Sequence, residues 1–153
     1  MKWVFAPHEI DRENIERLEK LFTVKCVRFS GFSDDSKDAR VMIMDNIGML
    51  SSAYRYAGIA AVGGGFGKGI HNILEPACWS IPVLFGPNYG KFREAVDLIN
   101  LGGAKSFNDY PGFEEILDRW ISDAALYQKA AALAGEYVNK NMGATSLIMK
   151  EIV

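Results

Sequence analysis

The chain has 153 residues, of which 49% are hydrophobic and 24% are charged, and its formal net charge is −2. This length predicts one domain with a buried core, and the small net charge disfavours nucleic acid as a partner, because nucleic-acid-binding domains carry a basic face. No apolar run approaches the roughly 20 residues of a membrane span, and the apolar stretch of MKWVFAPHE is too short for a signal peptide, so we expect a soluble, cytoplasmic domain.

Short β-rich runs alternate with longer helical patterns in the first part of the chain. The sequence predicts a strand at 3–6 and a helix at 10–22 that has Ile15, Leu18 and Phe22 on one face. A second strand is expected at 25–29 and, after a polar loop, a third at 41–44. A short helix at 49–56 follows.

The same alternation continues to the end of the chain, with strands predicted at 59–63, 82–86 and 104–107, the last at a sheet edge. Helices are predicted from 71–72 to 79, at 92–101 and from Pro111 onward, with a break at Gly143. Nearly continuous apolar strands separated by helices indicate an α/β fold with a doubly wound, Rossmann-like parallel sheet. Ligands bind such sheets beyond the carboxyl ends of the strands, so the loops there are where binding residues are expected.

Five glycines stand between the fourth strand and the next helix: Gly63, Gly64, Gly65, Gly67 and Gly69. Glycines at such a place let backbone amides approach an anion, which predicts a phosphate site, and the alternative is a tight turn without a ligand. The segment is not a P-loop, since Val62 and Gly69 occupy positions where that motif needs Gly and Ser/Thr. It is not a dinucleotide fingerprint either, because Lys68 replaces the third glycine and Val83 stands where the acidic residue belongs.

Three polar residues follow the glycines. His71 and Glu75 are four residues apart and would share a helix face, with Asn72 beside His71. They could offer a donor to a phosphate and an acceptor to ribose hydroxyls. On position alone, Asn72 could equally be an N-cap and Glu75 a first-turn glutamate that complements the helix dipole.

The composition argues against a metal site. The only cysteines, Cys26 and Cys78, are far apart in apolar settings and are predicted to be buried thiols in a reducing cytoplasm. Two histidines in all exclude a histidine-rich metal site, and no acidic pair suits a nucleotide-bound magnesium ion.

The stretch GGGFGKGIHNILEPACWSIPVLFGPNYGKF resembles the pattern of the bacterial Kdo (3-deoxy-manno-octulosonic acid) transferases, which runs Gly-Gly, (G/I)-H-N-x-L-E-A, (I/M)-P-V-(L/I)-x-G-P and a later Phe. Upstream, Asp45 and Gly48 are in register with the family's D-x-x-G-E-(L/M) segment, and APHEIDR is similar to its A-P-R-H segment. KNMGATSLI resembles the closing Q-N-x-G-A helix, so the resemblance spans the chain. The residues matched in the long stretch are Gly63, Gly64, His71, Asn72, Leu74, Glu75, Ala77, Pro82, Gly86, Pro87 and Phe92.

This resemblance implies one half of a GT-B glycosyltransferase, in which two Rossmann-like halves face each other. Residues 1–153 would form the single donor-nucleotide-binding domain for CMP-Kdo, and the absent N-terminal half would hold the lipid A precursor and the catalytic base. The full enzyme would act in lipopolysaccharide biosynthesis at the cytoplasmic face of the inner membrane. No catalytic residue, cofactor or metal ligand is therefore expected in this chain. The residues that would bind the CMP moiety are Pro7, His8, Ile47, Gly48, Met49, Gly64, His71, Asn72, Ile73, Leu74 and Glu75.

Two departures from the family pattern bear on this site. Met49 stands where many members carry Glu, which leaves only backbone contacts or apolar packing at that position. His8 stands where Arg is common, which should weaken a phosphate contact there. The open alternatives are a GT-B enzyme that uses a UDP-sugar and a stand-alone nucleotide-binding or regulatory module.

The last helix, from Ala144, carries an apolar stripe of Leu147, Ile148 and Ile152. In GT-B enzymes the closing helix commonly crosses back to the other half. Without that half, the stripe would favour self-association or disorder, and the alternative is that the helix packs on its own domain.

Overall fold

In the computed structural model, residues 1–152 are described, apart from the side chains of 144–147. The chain divides into two compact units, an N-terminal unit of residues 1–52 and a C-terminal unit of residues 53–153. Each unit contains a three-stranded parallel sheet with helices packed on it. The predicted α/β class with parallel sheets is confirmed.

The N-terminal unit has the sheet order β1-β3-β2, so its central strand is the last of the three in sequence. In its core, Ile15 and Leu18 of α1 pack against Val41 and Ile43 of β3. Both helix residues belong to the predicted apolar face. The carboxylate of Asp11 starts this helix by accepting from the N–H of Asn14. The elements are β1 (Trp3–Phe5), α1 (Arg12–Glu19), β2 (Cys26–Arg28), β3 (Val41–Ile43) and α2 (Leu50–Ala53).

The C-terminal unit has the order β4-β5-β6, with β6 at an edge as predicted. Its elements are β4 (Ala60–Ala61), α3 (Leu74–Ala77), β5 (Val83–Phe85), α4 (Arg93–Leu101), β6 (Ala104–Ser106), α5 (Tyr110–Ser122), α6 (Ala124–Asn141) and α7 (Ala144–Ile152).

Side chains of the central strand β5 alternate between two cores. Val83 and Phe85 pack with residues of α3 and α4 on one face of the sheet, and Leu84 packs with Trp120 of α5 on the other. The helix α6 serves both faces, because Ala134 joins the first core and Ala130 joins the second. This burial on both faces explains why β5 is apolar throughout.

The structure corrects two local expectations. The helix after the glycines begins at Leu74 and not at 71–72, because the N–H of His71 donates to the carbonyl of Gly63. His71 therefore lies outside α3 and does not share a helix face with Glu75. Cys78, expected to be buried, is exposed, whereas Cys26 is half-buried.

Candidate functional site

In the N-terminal unit, the loops after β1 and β3 leave the same edge of the sheet. The N–H of Met44 donates to the carbonyl of Phe5, which joins the ends of these two strands. Pro7 and His8 follow β1, and the stretch 47–49 follows β3. Because the strands are parallel neighbours, both predicted segments lie at the carboxyl end of one sheet, where α/β folds bind ligands.

The loop after β3, residues 45–49, exposes its backbone. Ile47 is 86% exposed, and Gly48 has φ +87° with no heavy atom near the place where a Cβ would stand. The side-chain amide of Asn46 donates to the sulfur of Met49 at 2.9 Å. Met49 thus packs back onto its own loop, and this stretch can offer a ligand mainly backbone groups.

Asp45 anchors the start of this loop. Its carboxylate accepts from the N–H of Ser30 at 2.9 Å and also from the Ser30 hydroxyl. The hydrogen bond from the hydroxyl lowers the pKa of Asp45 below its ordinary value. Ser30 belongs to a 3-10 turn at Phe29–Gly31 that follows β2, so Asp45 ties the ends of β2 and β3 together.

In the C-terminal unit, the glycine loop (residues 63–71) is closed by its own backbone. The N–H of Gly65 donates to the carbonyl of Gly69 at 2.6 Å, and the N–H of His71 donates to that of Gly63 at 3.0 Å. The next loop is pinned to it, because the N–H of Asn88 donates to Gly65 and the Asn88 side chain donates to Gly67. No local sequence pattern indicates this role of Asn88.

At three of the five glycines, close packing leaves no room for a side chain. A Cβ on Gly65 would lie 2.7 Å from the Cα of Gly86, and one on Gly64 would lie 2.3 Å from the carbonyl oxygen of Gly69. A Cβ on Gly69 would lie 2.7 Å from the ring of Phe92. Only glycine fits these places, whether or not a ligand binds. A cluster of glycines is therefore weaker support for a phosphate site than the sequence suggested.

Asn72 organises the start of α3. Its side-chain oxygen accepts from the N–H of Leu74, and its side-chain nitrogen donates to Oε1 of Glu75, both at 3.0 Å. Ile73 is the N-cap residue of α3, so Asn72 is not the N-cap; its hydrogen bond to Leu74 closes the turn before the helix, and the same side chain orients Glu75. Ile73 is only 1% exposed and belongs to the core, so its side chain faces other apolar residues, whereas Leu74 is exposed.

Tyr54 is a neighbour of Glu75 that the sequence did not single out. Burial raises the pKa of Tyr54, and the negative charge of Glu75 raises it further. The phenol therefore stays protonated beside this carboxylate.

Two open depressions lie in the C-terminal unit. One has a volume of about 360 Å³ and is lined by Leu74, Arg93 and Tyr137, among others. The other, of about 470 Å³, is almost wholly aromatic: Phe66, at the tip of the glycine loop, packs on Phe107 with ring centroids 5.4 Å apart. The first depression is lined by the predicted site residue Leu74 and by the guanidinium group of Arg93. The second is suited to bind apolar groups.

The described part of the chain also shows two absences. Among residues whose side chains are described, no three of His, Cys, Asp and Glu gather closely enough to hold a metal ion. Within residues 1–152, no helix is both long and apolar enough to cross a membrane.

Comparison with known proteins points to one family. No family model matches the chain. It is 34% identical over 106 residues to a 3-deoxy-D-manno-octulosonic acid transferase from Aquifex aeolicus, which covers 68% of this chain and 29% of that protein. It is 29% identical over 144 residues to a transferase of the same name from Chlamydophila psittaci, which covers 89% of this chain and 33% of the relative. The chain thus spans about a third of the length of these relatives.

A solved structure shares the fold. The C-terminal CMP-Kdo binding domain of WaaA from Acinetobacter baumannii superposes with a TM-score of 0.70 at 22% identity, over 88% of this chain and 72% of that one. At this identity the likeness concerns the fold alone, but it agrees with the relatives found by sequence. The chain is a homologue of the 3-deoxy-D-manno-octulosonic acid transferases and has the fold of a C-terminal domain from that family.

Proposed function

We propose that this chain is the donor-binding domain of a Kdo transferase and binds the CMP moiety of CMP-Kdo. The observation that carries the proposal is the 34% identity with a 3-deoxy-D-manno-octulosonic acid transferase. It is supported by the shared fold with a CMP-Kdo binding domain.

In the N-terminal unit, Pro7 and His8 would approach the donor phosphate from the end of β1. The backbone of Ile47, Gly48 and Met49 would line the cytosine and ribose. This role is compatible with the exposed loop and with the open space at Gly48.

In the C-terminal unit, the backbone near Gly64 and the side chains of His71 and Asn72 would face the phosphate, with Ile73 and Leu74 behind them. Glu75, oriented by Asn72, would accept from the ribose hydroxyls. Since α3 has only four residues, its dipole is short, and side-chain and loop donors must supply most of the attraction for phosphate.

In the full protein, we propose that an N-terminal half holds the lipid A precursor and supplies the general base. Residues 1–153 would then act as a single donor domain without a catalytic residue, a cofactor or a metal. The enzyme would work at the cytoplasmic face of the inner membrane in lipopolysaccharide biosynthesis. The relatives are more than twice as long as this chain, which supports a further half.

Nucleotide titration tests the proposal. Calorimetry with CMP, UMP and UDP should show binding of CMP in preference to the uridine nucleotides. Tighter binding of UDP would favour a GT-B enzyme that uses a UDP-sugar, and the absence of binding to all three would contradict a donor-binding role. Asn72→Ala should lower the affinity for CMP. The control is Asn100→Ala, at an exposed position of α4, which should leave this affinity unchanged.

A further inference from the structure

The loop 45–49 is held by side chains at both of its ends. At its start, the two oxygens of Asp45 accept from the N–H and the hydroxyl of Ser30. Near its end, the amide of Asn46 donates to Met49. Between these two contacts lie Ile47 and Gly48, which are exposed.

Both oxygens of the Asp45 carboxylate accept hydrogen bonds from Ser30. The nearby guanidinium group of Arg28 is paired with Glu19 through two hydrogen bonds of 2.7 and 2.6 Å. Hydrogen bonds to a charged acceptor are about twice as strong as neutral ones, and two from one residue fix direction as well as distance. Asp45 is therefore suited to hold the backbone of the Ser30 turn in place.

We infer that Asp45 is a positioning residue for the loop 45–49. Through its hydrogen bonds to Ser30 it holds the backbone of residues 46–49 in the conformation that receives the donor nucleotide. This inference rests on the proposed function, in which that backbone lines the cytosine and ribose. A loop that is already ordered loses less entropy when it binds a ligand, so affinity depends on the Asp45–Ser30 contact.

The first test needs no ligand. The NMR order parameters of the backbone amides at residues 47–49 should fall from about 0.85 to below about 0.6 in Ser30→Ala and in Asp45→Asn, because each removes one of the paired contacts, while those of β3 stay unchanged. Ser30→Thr, which keeps the hydroxyl, should give the order parameters of the unmodified protein. Ser33→Ala and Asp35→Asn are controls from the same unit. Unchanged order parameters at 47–49 in both Ser30→Ala and Asp45→Asn would overturn the inference.

The second test separates positioning from direct contact. Ser30→Ala should weaken the binding of CMP about five- to ten-fold, and Ser30→Thr should bind CMP as the unmodified protein does. Asp45→Ala should cost less affinity in the Ser30→Ala background than in the unmodified protein, because only the hydrogen bond from the Ser30 N–H is left to lose. Equal losses from Asp45→Ala in both backgrounds would show that Asp45 touches the nucleotide, and the inference would fall. Unmodified protein that binds no CMP would contradict the proposed function, and the order parameters of residues 47–49 would still decide whether Asp45 holds the loop.

Discussion

The carboxylate of Glu75 is held on one oxygen by the amide of Asn72, at 3.0 Å, on a one-turn helix. A carboxylate fixed in this way is a ready acceptor for a ribose hydroxyl. A first-turn glutamate that only complements a helix dipole needs no such orientation.

We predict that Glu75 makes the site prefer CMP to dCMP. A hydrogen bond to a charged acceptor contributes roughly 1.5–3 kcal/mol, which corresponds to about a 10- to 150-fold preference for the ribonucleotide. Glu75→Ala should lower the affinity for CMP by a similar factor and leave the affinity for dCMP almost unchanged. Calorimetric titration measures both affinities.

Glu94 provides the matched control, because it is also a half-buried first-turn glutamate, on α4. Glu94→Ala should change stability slightly and leave the preference for CMP intact. Equal affinity of the unmodified protein for CMP and dCMP would rule out the ribose role of Glu75.

The close approach of Gly65 to Gly86 leads to a prediction on stability. Gly65 has φ +82°, and an added Cβ would lie 2.7 Å from backbone, so Gly65→Ala should destabilise the C-terminal unit by at least about 2 kcal/mol. Gly67→Ala is the control, since nothing lies within 4 Å of its Cβ position, and it should cost less than about 0.5 kcal/mol. Urea unfolding measures both, and equal midpoints for the two variants would contradict the packing role of Gly65.

Among the elements, strands were more predictable than helix starts. Each observed strand lies inside its predicted range, because an apolar β-rich run between turn formers is a local signal. The start of α3 was misplaced because His71 pairs its N–H with Gly63, eight residues earlier, and no local pattern reveals that bond. The contact between Gly65 and Gly86 is likewise long-range, so the sequence could not reveal the packing role of Gly65, and the phosphate site stays a prediction.

The helix α7 presents apolar side chains to its surroundings, with Ile148 58% exposed and Ile152 72% exposed. Leu147, the third residue of the predicted stripe, lies outside the described side chains. We predict concentration-dependent self-association through this helix, because exposed apolar side chains on one face favour burial against another copy. Light scattering over a concentration series should show dimers or larger species.

Two variants locate this surface. Ile148→Asp combined with Ile152→Asp should give a monomer, whereas Glu151→Gln on the same helix should associate as before. A monomer at every concentration of the unmodified protein would show that α7 is not an interaction surface.

For the whole molecule, the division into two units was not evident from the sequence. It falls between Ser52 and Ala53, inside the short helix α2, where no linker composition marks it. The sheet order β1-β3-β2 is also set by contacts distant in sequence, whereas the parallel α/β class follows from the alternation of elements alone. The proposed site residues were selected through a family resemblance, and the structure adds contacts of two side chains around them: Ser30 bonds Asp45, and Asn88 bonds the glycine loop.

We predict that the purified 153-residue protein binds CMP and transfers no sugar, because the proposed donor segments are present and the proposed base lies in another half. Free CMP at 100 times its Kd should raise the free energy of unfolding by about 2.7 kcal/mol. Thermal unfolding with and without CMP measures this change. Transfer of Kdo to a lipid A precursor by this protein alone would contradict the assignment of the base to another half.

Because α6 contributes to both cores of the C-terminal unit, these cores can be completed only late in synthesis of the chain. The buried core residues of the N-terminal unit have all been synthesised once Met44 has been added. The two cores of the C-terminal unit are complete only after Ala130 and Ala134 have been added. At about 5–20 residues per second, roughly 4–15 s separate the completion of β4 from the arrival of Ala134. During that interval the apolar strands β4 and β5 are without their final cover, and a nascent chain is most open to chaperones and to misassembly at that stage.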